Sequence, residues 1–195
     1  VLVLWASKRC LRPVKWISER SEGMASDDSA RDNVSDAALA LDLDGNFLAV
    51  RCATLANLGA YLSLRGPLPP IVNLGSLAGV YTTPAIHAQT SGVFTNTNCT
   101  SPYRGAGRPE ASTVLEQLVD EAARKLTIDP AELRRRNTIP ADAMPYKTSL
   151  TFTYDSGAFE KNMDDALALA SYTNFESRRD RANERGRLRG IGTVS

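Results

Sequence analysis

Two kinds of hydrophobic periodicity occur along the chain, and they predict both strands and helices. Residues 39–43 and 47–54 alternate apolar with small or polar side chains on either side of Asp44-Gly45, a dipeptide typical of a β-hairpin turn. From Pro109 to Lys125, apolar positions recur every three or four residues, as on a helix that packs on a sheet. This apolar stripe consists of Val114, Leu115, Leu118, Val119, Ala122, Ala123 and Leu126. Strands and helices in separate layers indicate an α+β fold, with mixed β-sheets and packed helices.

Shorter elements are predicted in the first half of the chain. We expect a helix over residues 1–10, a strand over 14–17 and a pair of strands over 85–93. The run Gly66-Pro67-Leu68-Pro69-Pro70 predicts that residues 59–76 form a loop, because proline has no backbone N–H to donate.

Three more elements are predicted in the second half. Asp129 has the side chain of a helix N-cap, so a short helix should follow it and end near Asn137. Residues 160–185 are expected to be helical, with Gly186 as the C-cap. A strand is expected over 188–194.

The segment Pro102–Arg108 is a candidate anion-binding loop. Gly105 and Gly107 can adopt backbone angles that other residues avoid, and Arg104 and Arg108 offer guanidinium groups that bind oxyanions. The loop leads directly into the long helix, whose first N–H groups carry partial positive charge. It lacks the Gly-Lys-Ser/Thr of a P-loop and the Gly-x-Gly-x-x-Gly of a dinucleotide site. Spacing alone therefore leaves open a ligand site or an ordinary tight turn.

Composition and charge exclude several classes of function. The 23 Lys and Arg residues against 22 Asp and Glu give a net charge of +1, which argues against a nucleic-acid partner. The basic runs at 134–136 and 178–189 are expected to be solvated helix ends. The cysteines, Cys10, Cys52 and Cys99, form no Cys-x-x-Cys pair, so we expect no protein-bound metal and a reduced, cytoplasmic chain. No apolar stretch is long enough for a transmembrane segment.

Several blocks of the sequence resemble one enzyme family. The runs Pro102–Ala111, Asp129–Asn137 and Pro145–Thr148 are closely similar to the molybdenum-binding large subunit of the xanthine oxidase and aldehyde oxidase family of molybdenum hydroxylases. Residues 12–22 and 54–61 add to the resemblance. Within the family, the chain most resembles the large chain of aerobic carbon-monoxide dehydrogenase.

The resemblance implies a cofactor, a reaction and partners. In this family a molybdenum ion held by molybdopterin, a pyranopterin dithiolene, oxidises an aldehyde, an N-heterocycle or carbon monoxide with water as the oxygen source. We expect the cytosine dinucleotide form of the cofactor. Electrons leave through an iron-sulfur small subunit and an FAD-binding medium subunit. These two subunits and the remainder of the large subunit are the implied partners.

The resemblance also implies site residues. The arginine of the family motif lies at the molybdopterin and corresponds to Arg104. The implied cofactor-binding set is Arg104, Gly105, Ala106 and Gly107. Tyr103 and Ala106 are the implied substrate contacts.

Three departures from the family pattern bear on the substrate. Carbon-monoxide oxidisers carry a copper-binding cysteine where this chain has Gly105, and Cys99 cannot simply be assumed to replace it. Purine and aldehyde oxidisers typically carry a phenylalanine where this chain has Ala106. The resemblance therefore implies a copper-free enzyme for an aldehyde or N-heterocycle. Ser29-Ala30 stand in place of a His-Gly pair usual in the family, which puts any role of that histidine in doubt.

The family's large subunit is several times longer than this chain. By resemblance, the chain begins after a glycine-rich segment that also contacts the cofactor and ends before the glutamate that acts as catalytic base. No catalytic residue is therefore assigned. Residues 1–195 are expected to be a fragment of the molybdenum-cofactor-binding region, inactive alone, with a sub-boundary near residues 140–160. The alternative is a non-catalytic truncated fragment that serves cofactor docking or assembly.

Overall fold

The computed structural model describes all 195 residues, which form seven α-helices and five β-strands. The helices are α1 (Leu2–Cys10), α2 (Arg20–Ser26), α3 (Leu68–Ser76), α4 (Arg108–Leu126), α5 (Pro130–Asn137), α6 (Phe159–Leu169) and α7 (Phe175–Asn183). The strands are β1 (Asn33–Leu41), β2 (Phe47–Gly59), β3 (Ala85–Phe94), β4 (Tyr146–Lys147) and β5 (Thr153–Tyr154). A mixed three-stranded sheet in the order β1-β2-β3, a small β4-β5 sheet and packed helices confirm the α+β prediction.

The predicted hairpin is confirmed and is longer than the alternating pattern indicated. β1 and β2 pair in antiparallel fashion from Asn33 opposite Ala56 to the turn. The turn is held by Asp42, whose Oδ1 accepts hydrogen bonds from the N–H groups of Asp44 and Asn46 at 3.0 and 2.8 Å. The aspartate thus replaces backbone acceptors at the point where the ladder ends.

The prediction of a loop over residues 59–76 is wrong for its second half, because Leu68–Ser76 form helix α3, while residues 60–67 form no helix or strand. Pro69 and Pro70 lie in the first turn of α3, where the missing N–H groups would have no intrahelical partner in any case. The helix has a topological role. β2 and β3 are parallel, and parallel neighbours need a crossover connection, which α3 supplies. The prediction of a strand pair over 85–93 is also wrong, because this segment is a single strand, β3, that pairs with β2 along its whole length.

Helix α4 confirms the predicted long helix and forms the core with the hairpin. It begins at Arg108, one residue before the predicted start. Val119 and Ala123 are fully buried, and Leu115 is 2% exposed. They form one cluster with Phe47, Val50, Tyr81 and Leu133. The stripe positions that are only half-buried are Val114, Leu118 and Leu126.

Helix α5 also begins as predicted. The Asp129 side chain accepts hydrogen bonds from the N–H groups of Ala131 and Glu132 at 2.9 and 3.0 Å. Arg134, expected to be solvated, is instead completely buried, because its guanidinium pairs with two acidic side chains of α4.

The other terminal predictions are partly wrong. Residues 14–17 and 188–194 form no strand, since they are largely exposed and lie beside no strand partner. The helical region predicted over 160–185 is interrupted at Ser171, whose φ is 49°, and therefore forms α6 and α7. None of the seven helices combines the length and the apolar character needed to cross a membrane.

We expect Leu115→Ala to destabilise the protein more than Leu118→Ala. Leu115 is 2% exposed, and truncating such a leucine costs about 2–5 kcal/mol, whereas the half-buried Leu118 loses less contact. Thermal unfolding of the two purified variants, followed by circular dichroism, measures the difference. Equal melting temperatures would contradict this arrangement of the α4 surface.

Candidate anion-binding loop

The loop between β3 and α4 has an unusual backbone. Three successive residues, Gly105, Ala106 and Gly107, have φ values of 94°, 46° and 97°. The two glycines adopt the left-handed angles expected of them, while Ala106 is strained in this region. The turn is closed by two backbone hydrogen bonds, from Ala106 N–H to Tyr103 O at 2.7 Å and from Arg108 N–H to Gly105 O at 3.1 Å.

Gly107 is required by a close approach as well as by its φ. A Cβ at this position would lie 2.1 Å from the carbonyl oxygen of Pro69 and 2.9 Å from the backbone nitrogen of Asn73, both in α3. No side chain fits in that space, so the loop is pressed against the crossover helix. A Cβ at Gly105 would instead meet the ring of Pro109 at 2.5 Å.

The loop presents hydrogen-bond donors that have no acceptor in the chain. The N–H groups of Gly105 and Gly107 make no hydrogen bond to the protein, and Gly105 is exposed. Directly beyond them begins α4, a helix of 19 residues whose N-terminus adds partial positive charge. Free amides in a left-handed turn at a helix N-terminus can bind an anion, and the Gly105 N–H is the exposed one of the two, since Gly107 is buried against α3.

The arginines predicted for the site lie on the surface of the loop. Arg104 and Arg108 are both exposed. Arg108 makes only a long contact from Nη1 to Gly105 O, at 3.4 Å, and the Arg104 guanidinium bonds to no group of the protein. Tyr103 is 62% exposed beside them. The two guanidinium groups are therefore available to a ligand.

Glu110 adds an acceptor beside these donors. It lies in the first turn of α4, where the helix dipole stabilises a carboxylate. Its Oε2 is buried and has no hydrogen-bond partner. The first turn of α4 therefore holds a buried carboxylate oxygen that no donor of the protein reaches.

Sequence reasoning missed Arg31. Its Nη2 donates a hydrogen bond to the carbonyl oxygen of Arg104, and its guanidinium lies 4.8 Å from the centre of the Tyr103 ring. The positive φ of Arg31, 60°, is visible only in the structure.

Asn57 is a second residue that sequence reasoning missed. Its Oδ1 accepts hydrogen bonds from Gly59 N–H and Thr95 Oγ1, each at 2.8 Å. Its Nδ2 donates to Asp32 Oδ2 at 2.7 Å and to Thr97 Oγ1 at 2.8 Å. The Asn57 side chain thus connects the end of β2 to Asp32, which precedes β1, and to Thr95 and Thr97, which follow β3.

Cys99 is buried and already has a partner. Its thiol donates a hydrogen bond to the carbonyl oxygen of Tyr61 at 2.9 Å. His87, the one histidine, lies in β3 on an exposed position, as a strand residue. No group of three or more His, Cys, Asp or Glu side chains is arranged to hold a metal ion.

One concave surface of the chain lies away from the loop. It is formed by α4 and the C-terminal segment, with Leu118, Asp120, Tyr172 and Ile191 in its lining. Burial, and then a 3.0 Å hydrogen bond to Asp129, raises the pKa of Tyr172 to about 12. This hydroxyl stays protonated at neutral pH and cannot act as a general base. The loop residues carry the more specific chemistry, because they combine a free, exposed amide donor with two exposed guanidinium groups.

Comparison with known sequences identifies similar proteins. Residues 1–138 match the sequence model of a family described as a molybdopterin cofactor-binding domain. The chain is 34% identical to 6-hydroxypseudooxynicotine dehydrogenase complex subunit gamma of Paenarthrobacter nicotinovorans, covering 98% of the chain and 25% of that protein. It is also 34% identical to the carbon monoxide dehydrogenase large chain of Hydrogenophaga pseudoflava, covering 94% of the chain and 24% of that protein.

Solved structures of similar proteins also include molybdenum enzymes. Quinoline 2-oxidoreductase from Pseudomonas putida 86 superposes with a TM-score of 0.86 at 31% identity, covering 95% of this chain and 24% of that one. The Cu,Mo-CO dehydrogenase superposes with a TM-score of 0.79 at 30% identity over the same shares. The chain spans about a quarter of the length of these relatives.

Proposed function

This chain belongs to the molybdopterin cofactor-binding domain family of the molybdenum hydroxylases, and on that premise we propose that it forms one wall of the molybdenum-cofactor site of such an oxidoreductase. The observation that carries the proposal is the loop Tyr103–Gly107. It combines unpaired amide donors, an unpaired guanidinium and a backbone that a ligand can approach closely. These features match the anionic groups of molybdopterin.

Each loop residue has a distinct part in the proposed site. The bound cofactor supplies two-electron oxidation at molybdenum, with water as the oxygen source. Arg104 neutralises anionic groups of the cofactor, and the Gly105 N–H donates a hydrogen bond to it. Gly107 seats the loop on α3. Ala106 and Tyr103 face the substrate, and the small methyl group of Ala106 leaves room for it.

The proposed partners follow from the relatives and from the surface of the chain. Relatives carry the names complex subunit gamma and large chain, which supports an assembly with an iron-sulfur small subunit and an FAD-binding medium subunit. Residues 1–32 include no buried residue, and the apolar side chains of Leu2, Leu4 and Trp5 are exposed. We propose that the remainder of a longer large subunit covers this face, in a cytoplasmic enzyme that uses the cytosine dinucleotide cofactor.

The proposed domain organisation follows the family match. We propose that residues 1–195 are a part of the cofactor-binding region, inactive without the rest, with a sub-boundary near 140–160. The match to the family model ends at residue 138, which supports this boundary. The exposed apolar face of residues 1–32 also favours a second candidate, a non-catalytic docking or assembly piece.

The proposed substrate is an aldehyde or an N-heterocycle, with no copper in the site. Gly105 offers no thiolate, and the Cys99 thiol is buried against Tyr61 O. The small side chain of Ala106 places no aromatic ring against the substrate. Quinoline 2-oxidoreductase, one of the similar solved structures, is named for an N-heterocyclic substrate, which supports this substrate class.

Metal analysis and a substrate panel test the proposal. We expect the full-length large subunit, assembled with its iron-sulfur and flavin partners, to contain stoichiometric molybdenum and no copper by mass spectrometry. Dye reduction should proceed with aldehydes or N-heterocycles and not with carbon monoxide. Stoichiometric copper with carbon-monoxide-dependent reduction would overturn the substrate class, and a discrete assembly without molybdenum would favour the docking role.

A further inference from the structure

We propose that Arg31 is a positioning residue that sets the direction of the Arg104–Gly105 peptide, and with it the Gly105 N–H that faces the cofactor. The proposal rests on the proposed function, because it concerns the same loop. Arg31 lies 73 positions before Arg104 in the sequence.

The geometry of the peptide unit carries the argument. The carbonyl oxygen of Arg104 and the N–H of Gly105 belong to one planar trans peptide, so they point in opposite directions. Arg31 Nη2 holds that carbonyl oxygen from one side. The Gly105 N–H must then point to the other side, where the protein offers it no acceptor. Glycine tolerates both orientations of this peptide, and the guanidinium of Arg31 selects one of them.

A second contact restrains the same part of the loop. The Arg31 guanidinium lies 4.8 Å from the centre of the Tyr103 ring, within the range of a cation–π interaction. One side chain therefore contacts the residue before Arg104 and the peptide after it. Arginine suits this double contact because its planar group stacks on a ring while its N–H groups donate in the plane.

Arg31 is itself held in place on both sides. Ser29 N–H donates to Cys99 O at 2.8 Å, and Ser101 N–H donates to Ser29 O at 2.9 Å. On the other side, Asp32 accepts from Asn57 through its backbone oxygen at 3.0 Å and through Oδ2 at 2.7 Å. Between these anchors Arg31 has a φ of 60°, a strained angle that persists only where the surroundings enforce it.

The test compares Arg31→Ala and Arg31→Lys in the full-length enzyme assembled with its partner subunits. The matched control is Arg51→Ala, which removes an exposed arginine of β2 paired only with Asp36. Retained molybdenum per protein after dialysis, turnover per molybdenum atom and the melting temperature are measured for each. We expect Arg31→Ala to lower cofactor retention or turnover per molybdenum by about 10- to 100-fold, the usual effect of losing an outer-sphere partner.

The pattern across variants decides the outcome. Lysine keeps the charge and can still donate to the carbonyl oxygen, but it lacks the planar guanidinium, so Arg31→Lys should recover part of the loss. Arg51→Ala should match the parent enzyme in every measurement, and the melting temperatures of all variants should match that of the parent. Full retention and turnover in Arg31→Ala, when Arg104→Ala has lost them, would overturn the role of Arg31 and leave the cofactor site intact. A loss of cofactor retention or turnover that is accompanied by a clear fall in melting temperature would also overturn the proposal, since Arg31 would then only stabilise the fold. Full retention in Arg104→Ala would instead refute the site itself.

Discussion

Arg104→Ala in the full-length large subunit is expected to lower cofactor occupancy or turnover on the order of 100-fold, the size of effect seen when one preorganised donor is removed from an active site. The fold should remain intact, because the Arg104 side chain is exposed and bonds to no group of the protein. Molybdenum content per protein and steady-state turnover measure the first effect, and the melting temperature measures the second.

The control for this experiment is an exposed arginine that lies away from the loop. Arg124→Ala removes an exposed arginine of α4 that pairs with Glu121, far along the helix from the loop. It should keep full molybdenum and full turnover. If Arg104→Ala also kept full cofactor and full rate, the loop would not be the cofactor site.

Arg134→Ala is expected to destabilise the protein by about 3–5 kcal/mol, the typical result of removing one member of a buried ion pair. Arg134 is 0% exposed, and its guanidinium contacts Glu116 Oε2 at 2.7 Å and Asp120 Oδ1 at 2.9 Å. Tyr81 donates from its hydroxyl to Glu116 Oε1 at 2.9 Å. Loss of Arg134 leaves Glu116 buried without its counter-charge, and thermal or denaturant unfolding measures the effect.

Two variants sharpen this test. Arg136→Ala removes a neighbouring arginine that is 39% exposed and pairs with Glu132, so it should cost less than about 1 kcal/mol. The double substitution Arg134→Met with Glu116→Leu removes the two buried charges and leaves only Asp120, whose side chain is 45% exposed, so it should lose less stability than Arg134→Ala alone. A large loss in Arg136→Ala, or a small one in Arg134→Ala, would contradict the observed burial.

The Tyr81 hydroxyl belongs to the same network. Burial, and then the negative charge of Glu116, raises the pKa of Tyr81 well above its usual value. The phenol therefore keeps its proton at every physiological pH and continues to donate to Glu116. The network links the hairpin, through the Phe47–Tyr81 ring contact at 5.3 Å, to α4 and α5.

The sequence by itself determined the elements whose signals are local. The β1–β2 hairpin follows from alternation around Asp44-Gly45, α4 from its 3.6-residue period, and the start of α5 from the Asp129 side chain. The left-handed glycines of the loop follow from the absence of a Cβ. These features depend on residues that are close together in the sequence, so the sequence alone predicts them.

Only the tertiary structure decided the features that join distant parts of the chain. The prolines of residues 66–70 predict a loop, yet a crossover between parallel strands needed a helix there. Arg134 stands in a basic run that predicts a solvated helix end, and only the packing of α5 on α4 places two carboxylates beside it. Arg31 reaches Arg104 across 73 positions. No local pattern encodes such contacts, because their energy comes from groups that meet only when the chain has folded.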